Sequence, residues 1–365
     1  MKKLIPFIII LAILALGIGL YLGWQKAKPF LNPPTTPAPT PEEVLQQKIK
    51  SLSDKEVFDY WINSSATSTE IFYITLDGKI FNAETNEEIS DQIINNLQQI
   101  KTSSDGSKIL IKSVAATSAS FTIFNVETKI WQPLDNGIVA VDFSPTEDKI
   151  IYLMKTKTGA SNLIIKDLGA KAKQKSTTIM SLNQQDFDIN WIDKDLILLI
   201  PKPANQITSE VWQVNLKDKT IKLFASGNGL MLNWQKIKQR GLKSIISKDR
   251  LVTYLIDKNN QEQVFNFSTF PDKCTLDDFP QLYCAIAITT SISPQRLTLP
   301  DDYLKKAVYF NDILYKIDTA SSTSTPEEIL SSTDEAPIDI FNLRKIGNTL
   351  LFINRYDNKL YKIEI

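Results

Sequence analysis

The stretch Ile138-Val-Ala-Val-Asp-Phe-Ser-Pro-Thr-Glu-Asp-Lys-Ile-Ile-Tyr-Leu-Met154 constrains the fold more than any other, because its pattern recurs along the chain. Val139, Val141 and Phe143 alternate as in a half-buried strand, Ser144 to Asp148 reverses the chain, and Lys149 to Met154 returns as a mostly apolar strand. Aligned on the aromatic that ends the first strand, Phe143, Trp191 and Trp234 lie roughly 43–48 residues apart, the spacing of four-stranded propeller blades.

Other stretches keep the same order of strand, turn and strand. The first unit holds Val57 to Trp61, Glu70 to Thr75, the turn Leu76-Asp77-Gly78 and Lys79 to Phe81. The second holds Leu97 to Lys101, Ser104-Asp105-Gly106-Ser107, Lys108 to Ile111, Ser120 to Phe124 and Ile130-Trp131. The opening stretch with Asn162 to Asp167 is the third. Phe187 to Trp191, Asp195 to Ile200, Glu210 to Asn215 and Thr220 to Phe224 make a fourth unit; Leu230 to Trp234, Lys243 to Ile246, Leu251 to Ile256 and Gln263 to Phe267 make a fifth. A sixth contains both cysteines and a long insertion, and a seventh comprises Ile338 to Phe341, Asn348 to Ile353 and Lys359 to Ile365. The expected fold is all-β, a β-propeller of about seven four-stranded blades over residues 49–365. The seventh unit stops after three strands. Lys48 to Leu52 is predicted to supply the fourth by pairing with Lys359 to Ile365, which would seal an edge of unpaired backbone groups.

Ahead of the repeats, residues 1–3 (Met-Lys-Lys) precede an uncharged, mostly apolar run, 4–24, long enough to cross a hydrocarbon core as a helix. Tyr21, Leu22 and Trp24 extend it beyond the apolar core of about 7–15 residues usual in a cleaved signal peptide, so an uncleaved signal-anchor is the expectation and a cleaved signal the alternative. Lys2 and Lys3 favour a cytoplasmic N-terminus with the body outside, an asymmetry that Lys26 and Lys28 reduce. Residues 25–41 are Pro-rich and read as an extended stalk. Residues 42–48 read as a short helix, with Thr40 as cap, Pro41 at its first position and Glu43 three residues on.

The grammar of an aromatic-ending strand, a Ser-Pro or Asp-Gly turn, a buried strand and then Asn162-Leu-Ile-Ile-Lys-Asp-Leu168 resembles TolB-type and related WD-repeat-like β-propellers. More narrowly, Gly229-Leu-Met-Leu-Asn-Trp234, Phe270-Pro-Asp-Lys-Cys274 and Leu282-Tyr-Cys-Ala285 resemble propellers of a membrane-anchored bacterial envelope group. The resemblance implies a propeller and brings no catalytic residues with it.

Histidine is absent, and acidic and basic residues balance at 41 each. The first fact removes the commonest general base, the Ser-His-Asp and Cys-His arrangements and His-based metal sites. The second leaves no net field to attract nucleic acid. There is no phosphate-binding Gly-rich loop, calcium loop or nucleophile elbow, so no catalytic, metal or cofactor residue is assigned and no cofactor is expected. Asp277-Asp278 and Asp301-Asp302 are read as solvated loop charge rather than glycosidase carboxylates. Trp61, Trp131, Trp191, Trp212 and Trp234 are read as core between blades.

Cys274 and Cys284 flank a turn at Asp277-Asp278-Phe279-Pro280, which sets them opposite each other and predicts a disulfide with a Cα separation of about 4.4–6.8 Å. The insertion from Ile286 to Lys306 is too long for a blade turn. Its Ser291, Gln295, Arg296, Leu297, Asp301, Asp302 and Tyr303 form the candidate binding loop, with a plain packing insertion as the alternative. The functional expectation is a membrane-anchored, extracytoplasmic protein-binding or scaffolding module, anchored by one helix and partnered by an envelope protein. The alternative is a propeller enzyme, a carbohydrate-active hydrolase or lyase using carboxylate, Tyr or Lys in the central channel. Carboxylates converging with Tyr and Arg at a channel mouth would favour the enzyme, whereas an apolar or loop-built surface would favour binding.

Overall fold

The computed structural model describes residues 49–64, 68–115, 118–169, 175–183, 186–288, 297–320, 326–333 and 336–365, together with Tyr21. Apart from Tyr21, the expected membrane segment 4–24, stalk 25–41 and short helix 42–48 lie outside these residues. Among the described residues no helix is long and apolar enough to cross a membrane.

The alternating runs fold as antiparallel meanders that pair in chain order. β1 (Ile49–Ser51) is followed by the first meander, β2 (Val57–Ser64), β3 (Thr69–Thr75) and β4 (Ile80–Asn82). The second is β5 (Leu97–Thr102), β6 (Lys108–Ala115), β7 (Ser118–Asn125) and β8 (Ile130–Pro133); the third is β9 (Ile138–Phe143), β10 (Lys149–Lys155), β11 (Ser161–Asp167) and β12 (Ser176–Leu182). A longer sheet carries β13 (Phe187–Asp193), β14 (Leu196–Pro201), β15 (Thr208–Asn215), β16 (Ile221–Gln235), β17 (Arg240–Ser247), β18 (Arg250–Asp257) and β19 (Glu262–Val264). Then come β20 (Cys274–Leu276), β21 (Gln281–Ala287), β22 (Asp312–Asp318) and β23 (Glu327–Ser331), and finally β24 (Ile340–Ile346), β25 (Thr349–Asn354) and β26 (Lys359–Glu364).

The turns use the chemistry expected of them. Ser144 Oγ accepts from the backbone N–H of Thr146 and Glu147, closing the Ser-Pro turn between β9 and β10. Gly106, at φ +77°, turns β5 into β6, and a Cβ there would stand 1.9 Å from the carbonyl oxygen of Ile62, so only glycine fits. One boundary differs from the sequence expectation. Thr220 to Phe224 and Leu230 to Trp234 were expected as separate strands of two units, yet they lie within one 15-residue strand, β16, shared by the fourth and fifth meanders. The Ser226-Gly227-Asn228-Gly229 run that imitates a turn is held extended by pairing with β15, and the strand bends at Gly229, φ +59°, where its ladder with β17 shifts register.

Apolar side chains interlock between each meander and the next. Trp61 and Ile74 meet Ile109 and Phe124 between the first and second; Leu110 and Phe121 meet Val141 and Phe143 between the second and third. Leu153 and Leu163 pack on Trp191 and Leu199, Ile192 and Leu198 on Trp234 and Ile256, and Leu242 and Leu255 on Cys274 and Leu282. Tyr283 and Leu314 then meet Leu350 and Phe352, and Leu351 and Leu360 return to Tyr60 and Tyr73 of the first meander. The packing therefore runs round a closed ring. The fold is a β-propeller.

β1 seals that ring as expected. It runs antiparallel to β26, with Ile49 opposite Ile363 and Ser51 opposite Tyr361, and Leu52 N–H donates to the Leu360 carbonyl at 2.8 Å. The Tyr60 hydroxyl reaches across the seam to the carbonyls of Asn342 and Leu351 at 2.6 and 2.8 Å.

Cys274 and Cys284 sit directly opposite each other on β20 and β21, around the expected turn, with sulfurs 2.03 Å apart. Their Cα separation of 4.2 Å is just below the expected window, because facing residues of adjacent antiparallel strands approach this closely. Mass spectrometry of unreduced protein is expected to give an intact mass two hydrogens below that of the reduced chain, with no thiol alkylated before reduction.

Candidate functional site at the axial mouth

Each meander opens with its innermost strand, so β2, β5, β9, β13 and β24 ring the axis and begin at one end of it. β21 runs against β20 and ends at that same mouth, so the insertion emerges there. Of the sequence-predicted loop residues, Ser291, Gln295 and Arg296 lie outside the described residues. Leu297 is partly buried.

The rest of the insertion is bound down. Asp301 and Asp302 open α1 (Asp301–Leu304). The Asp301 carboxylate accepts from Asn205 N–H, in the β14–β15 loop, at 2.9 Å, and Asp302 accepts from Thr298 N–H at 2.7 Å. Both therefore hold backbone in place, where the sequence reading expected solvated loop charge. Pro300 packs on Gly229 so closely that a Cβ there would lie 2.7 Å from its Cδ. Lys306 reaches Asn358 of the β25–β26 turn at 3.1 Å. The insertion thus ties the fourth, fifth and seventh meanders to its own.

Tyr303 departs furthest from the expected binding loop. It is buried, stacks on Phe270 with ring centroids 3.7 Å apart, and donates its hydroxyl to Asp272 at 2.9 Å. Stacking on Phe270 holds the Tyr303 ring in the core and leaves Leu304 outside. Below it lies an ionic cluster absent from the sequence reading. Lys273 Nζ meets Asp312 and Asp339, each at 2.5 Å; Arg355 meets Asp339 at 2.9 Å and donates to the Tyr303 carbonyl at 2.8 Å. Lys273, Arg355 and both carboxylates are almost wholly inaccessible.

Burial pushes the Asp272 carboxyl up to about 6, although the Tyr303 hydroxyl and the charges of Lys273 and Arg355 pull it down. Asp312 is raised as well, burial again outweighing the attraction of Lys273. Both groups hold protons in the fold at a pH where an unfolded aspartate, near about 3.9, has already lost them. Their stabilisation is therefore fully present below that pH and is lost as pH rises through the folded values. The melting temperature is expected to increase as pH falls from 7 to 5. Asp272→Asn, which keeps an acceptor for Tyr303, is expected to flatten that slope in a thermal-denaturation series.

Along the axis, Asp188 keeps 37% of its side chain accessible. Burial raises its carboxyl, but the Lys101 charge at 2.6 Å and the Gln99 amide at 2.9 Å outweigh that and hold it below the usual range. Asp142 pairs with Lys236 at 2.8 Å and accepts from Trp191 N–H at 2.7 Å. Asp59 accepts from Asn342 and Tyr60 N–H; burial raises its carboxyl against the charge of nearby Arg344. Carboxylates do converge on the axis, and each has a basic or amide partner. Among the described residues no cluster of His, Cys, Asp and Glu is arranged to hold a metal ion.

No family model and no curated protein matches the chain. Among solved structures, the tricorn protease aligns with a TM-score of 0.50 at 10% identity, over 90% of this chain and 34% of that one. A structure from an analysis of two prolyl endopeptidases aligns at 0.51 and 13% identity, over 86% of this chain and 49% of that one. The β-propeller domain of Cps50 (Swd1) from Myceliophteria thermophila aligns at 0.49 and 10% identity, covering 87% of this chain and 99% of that one. The chain spans about a third of the first structure and about half of the second, and identities this low speak to the fold alone.

Proposed function

We propose that the protein is a single-pass, extracytoplasmic propeller of seven blades, held from the membrane by its Pro-rich stalk, that binds an envelope protein through its insertion-bearing mouth. The anchor rests on the apolar run 4–24 and the stalk on residues 25–41. Likeness to a membrane-anchored bacterial envelope group supports the location. One observation carries the binding reading. The axial carboxylates are engaged by Lys, Gln or Asn, while the rim beside the bound-down insertion presents Leu304, Tyr309 and Tyr356, each 41–45% exposed. A rigid, loop-built surface with exposed aromatics is the kind that recognises proteins. The raised carboxyl of Asp59 favours the second reading, a hydrolase or lyase with its acid in the channel.

Mild crosslinking in membranes followed by purification is expected to recover one dominant envelope protein with the propeller. Failure to recover any, or turnover of an envelope glycan by the purified propeller that is abolished by Asp59→Asn, would replace the binding reading with the enzymatic one.

A further inference from the structure

At one corner of the insertion-bearing mouth, around Asp188, lysines outnumber carboxylates. Asp188 is the carboxylate around which the local lysines gather, and both its oxygens are already used: Oδ1 by Lys101 and the Ile189 N–H, Oδ2 by Gln99. Two further lysines share this corner. Lys112 lies directly opposite Gln99 in the β5–β6 ladder, and Lys202 follows two residues after Ile200, which lies opposite Asp188 in the β13–β14 ladder.

Neither forms an ion pair among the described residues. Lys112 is partly buried, with its Nζ over the Phe121 ring, 5.6 Å from the centroid. Burial lowers its pKa, and the charges of Lys202 and Lys101 add to that effect while Asp188 opposes it. Next to these strands in sequence, the positions outside the described residues, Ala116, Thr117, Gln184 and Gln185, include no acid. Asp186, just before β13, is exposed, and the register that sets Phe187 opposite Pro201 brings it level with Lys202, though the two form no ion pair. Three ammonium groups thus gather near two carboxylates, the fully engaged Asp188 and the exposed Asp186, which leaves an excess of positive charge at this corner of the mouth.

We infer that this corner of the mouth binds a carboxylate carried by an acidic peptide segment, received between Lys112 and Lys202 with the Lys101–Asp188 pair as its floor. The inference rests on the binding reading above and names the chemistry of the partner. An ammonium partly withdrawn from water, as on Lys112, binds a carboxylate more strongly than one on an open surface does, and the exposed Lys202 adds its charge beside it. The chain as a whole carries no net charge, so the attraction is local to this corner.

The test is binding of a short oligoglutamate peptide to the purified protein by calorimetry, with oligolysine and inorganic phosphate as parallel probes. Oligoglutamate is expected to bind, to weaken as salt rises, and to lose on the order of tenfold in affinity with Lys112→Gln or Lys202→Gln. Lys202→Glu, at an exposed position where folding is not at risk, is expected to abolish binding. Lys362→Gln, on β26 and paired with Glu364, is expected to leave it unchanged. Binding that ignores the lysine variants, or phosphate binding as tight as that of the peptide, would overturn the inference. Capture of the membrane partner distinguishes the two levels. Capture that persists undiminished in Lys202→Glu overturns the acidic-segment inference while the binding reading stands; absence of capture by the unsubstituted protein overturns both.

Discussion

Lys273→Met is expected to destabilise the protein by about 3–5 kcal/mol, measured by denaturant unfolding at neutral pH. Lys273 Nζ stands between the carboxylates of Asp312 and Asp339, each 2.5 Å away, and all three groups are cut off from water. A buried ion pair is a weak source of net stability, because desolvation offsets most of the attraction. Removing one partner is different, since it leaves the desolvation cost and takes away the compensation. With methionine in place, Arg355 still reaches Asp339, but Asp312 keeps only the Ile340 N–H of its two partners on Oδ2. Adding Asp312→Asn removes the stranded charge and is expected to restore part of the loss. If the single variant unfolds like the unsubstituted protein, Lys273 does not stand in a dry site tightly paired with both carboxylates.

The second large effect concerns the seam. A chain beginning at Ser53 is expected to be about 2–4 kcal/mol less stable than one beginning at Leu45, and to self-associate as its concentration rises. The shorter chain loses the β1 ladder to β26, the Leu52–Leu360 hydrogen bond, and the apolar contacts of Ile49 and Leu52 at two of the interfaces between meanders. It also bares a row of backbone donors and acceptors on β26. Unfolding curves together with sedimentation at several concentrations separate the two consequences. Equal stability and a monomeric short chain would show that the ring does not depend on this strand.

Most of the fold was legible because its signals are local. A strand, a Ser-Pro or Asp-Gly turn and a returning strand each show within a few residues, and repetition at blade spacing multiplies a weak signal. The cysteine hairpin was equally readable, since its symmetry about Asp277 to Pro280 is a matter of counting. The continuous β16 was not, because Ser226-Gly227-Asn228-Gly229 has turn composition and only its neighbours hold it extended. Gly227, for instance, fits against Ile245, whose Cγ2 would lie 2.5 Å from any added Cβ.

The site was less readable still. Lys273, Asp312, Asp339 and Arg355 come from four separate segments, and no spacing in the chain joins them. A faint signal existed in Ile338-Asp339-Ile340, where a charge sits inside an apolar run and so demands a buried partner. Tyr303 was read as part of an open loop because insertion length alone says nothing about docking. Its burial follows from Phe270 and Asp272, more than thirty residues away.

The most direct measurement of the central claim, that one rim of the ring meets the partner, is site-specific photocrosslinking in intact membranes. A photoreactive residue at Tyr309 or Lys202, both at the insertion-bearing rim, is expected to capture the same envelope protein. The same residue at Ser104 or Asp278, both exposed near the opposite rim, is expected to capture none. Capture from Ser104 or Asp278, or from none of the four positions, would contradict the account.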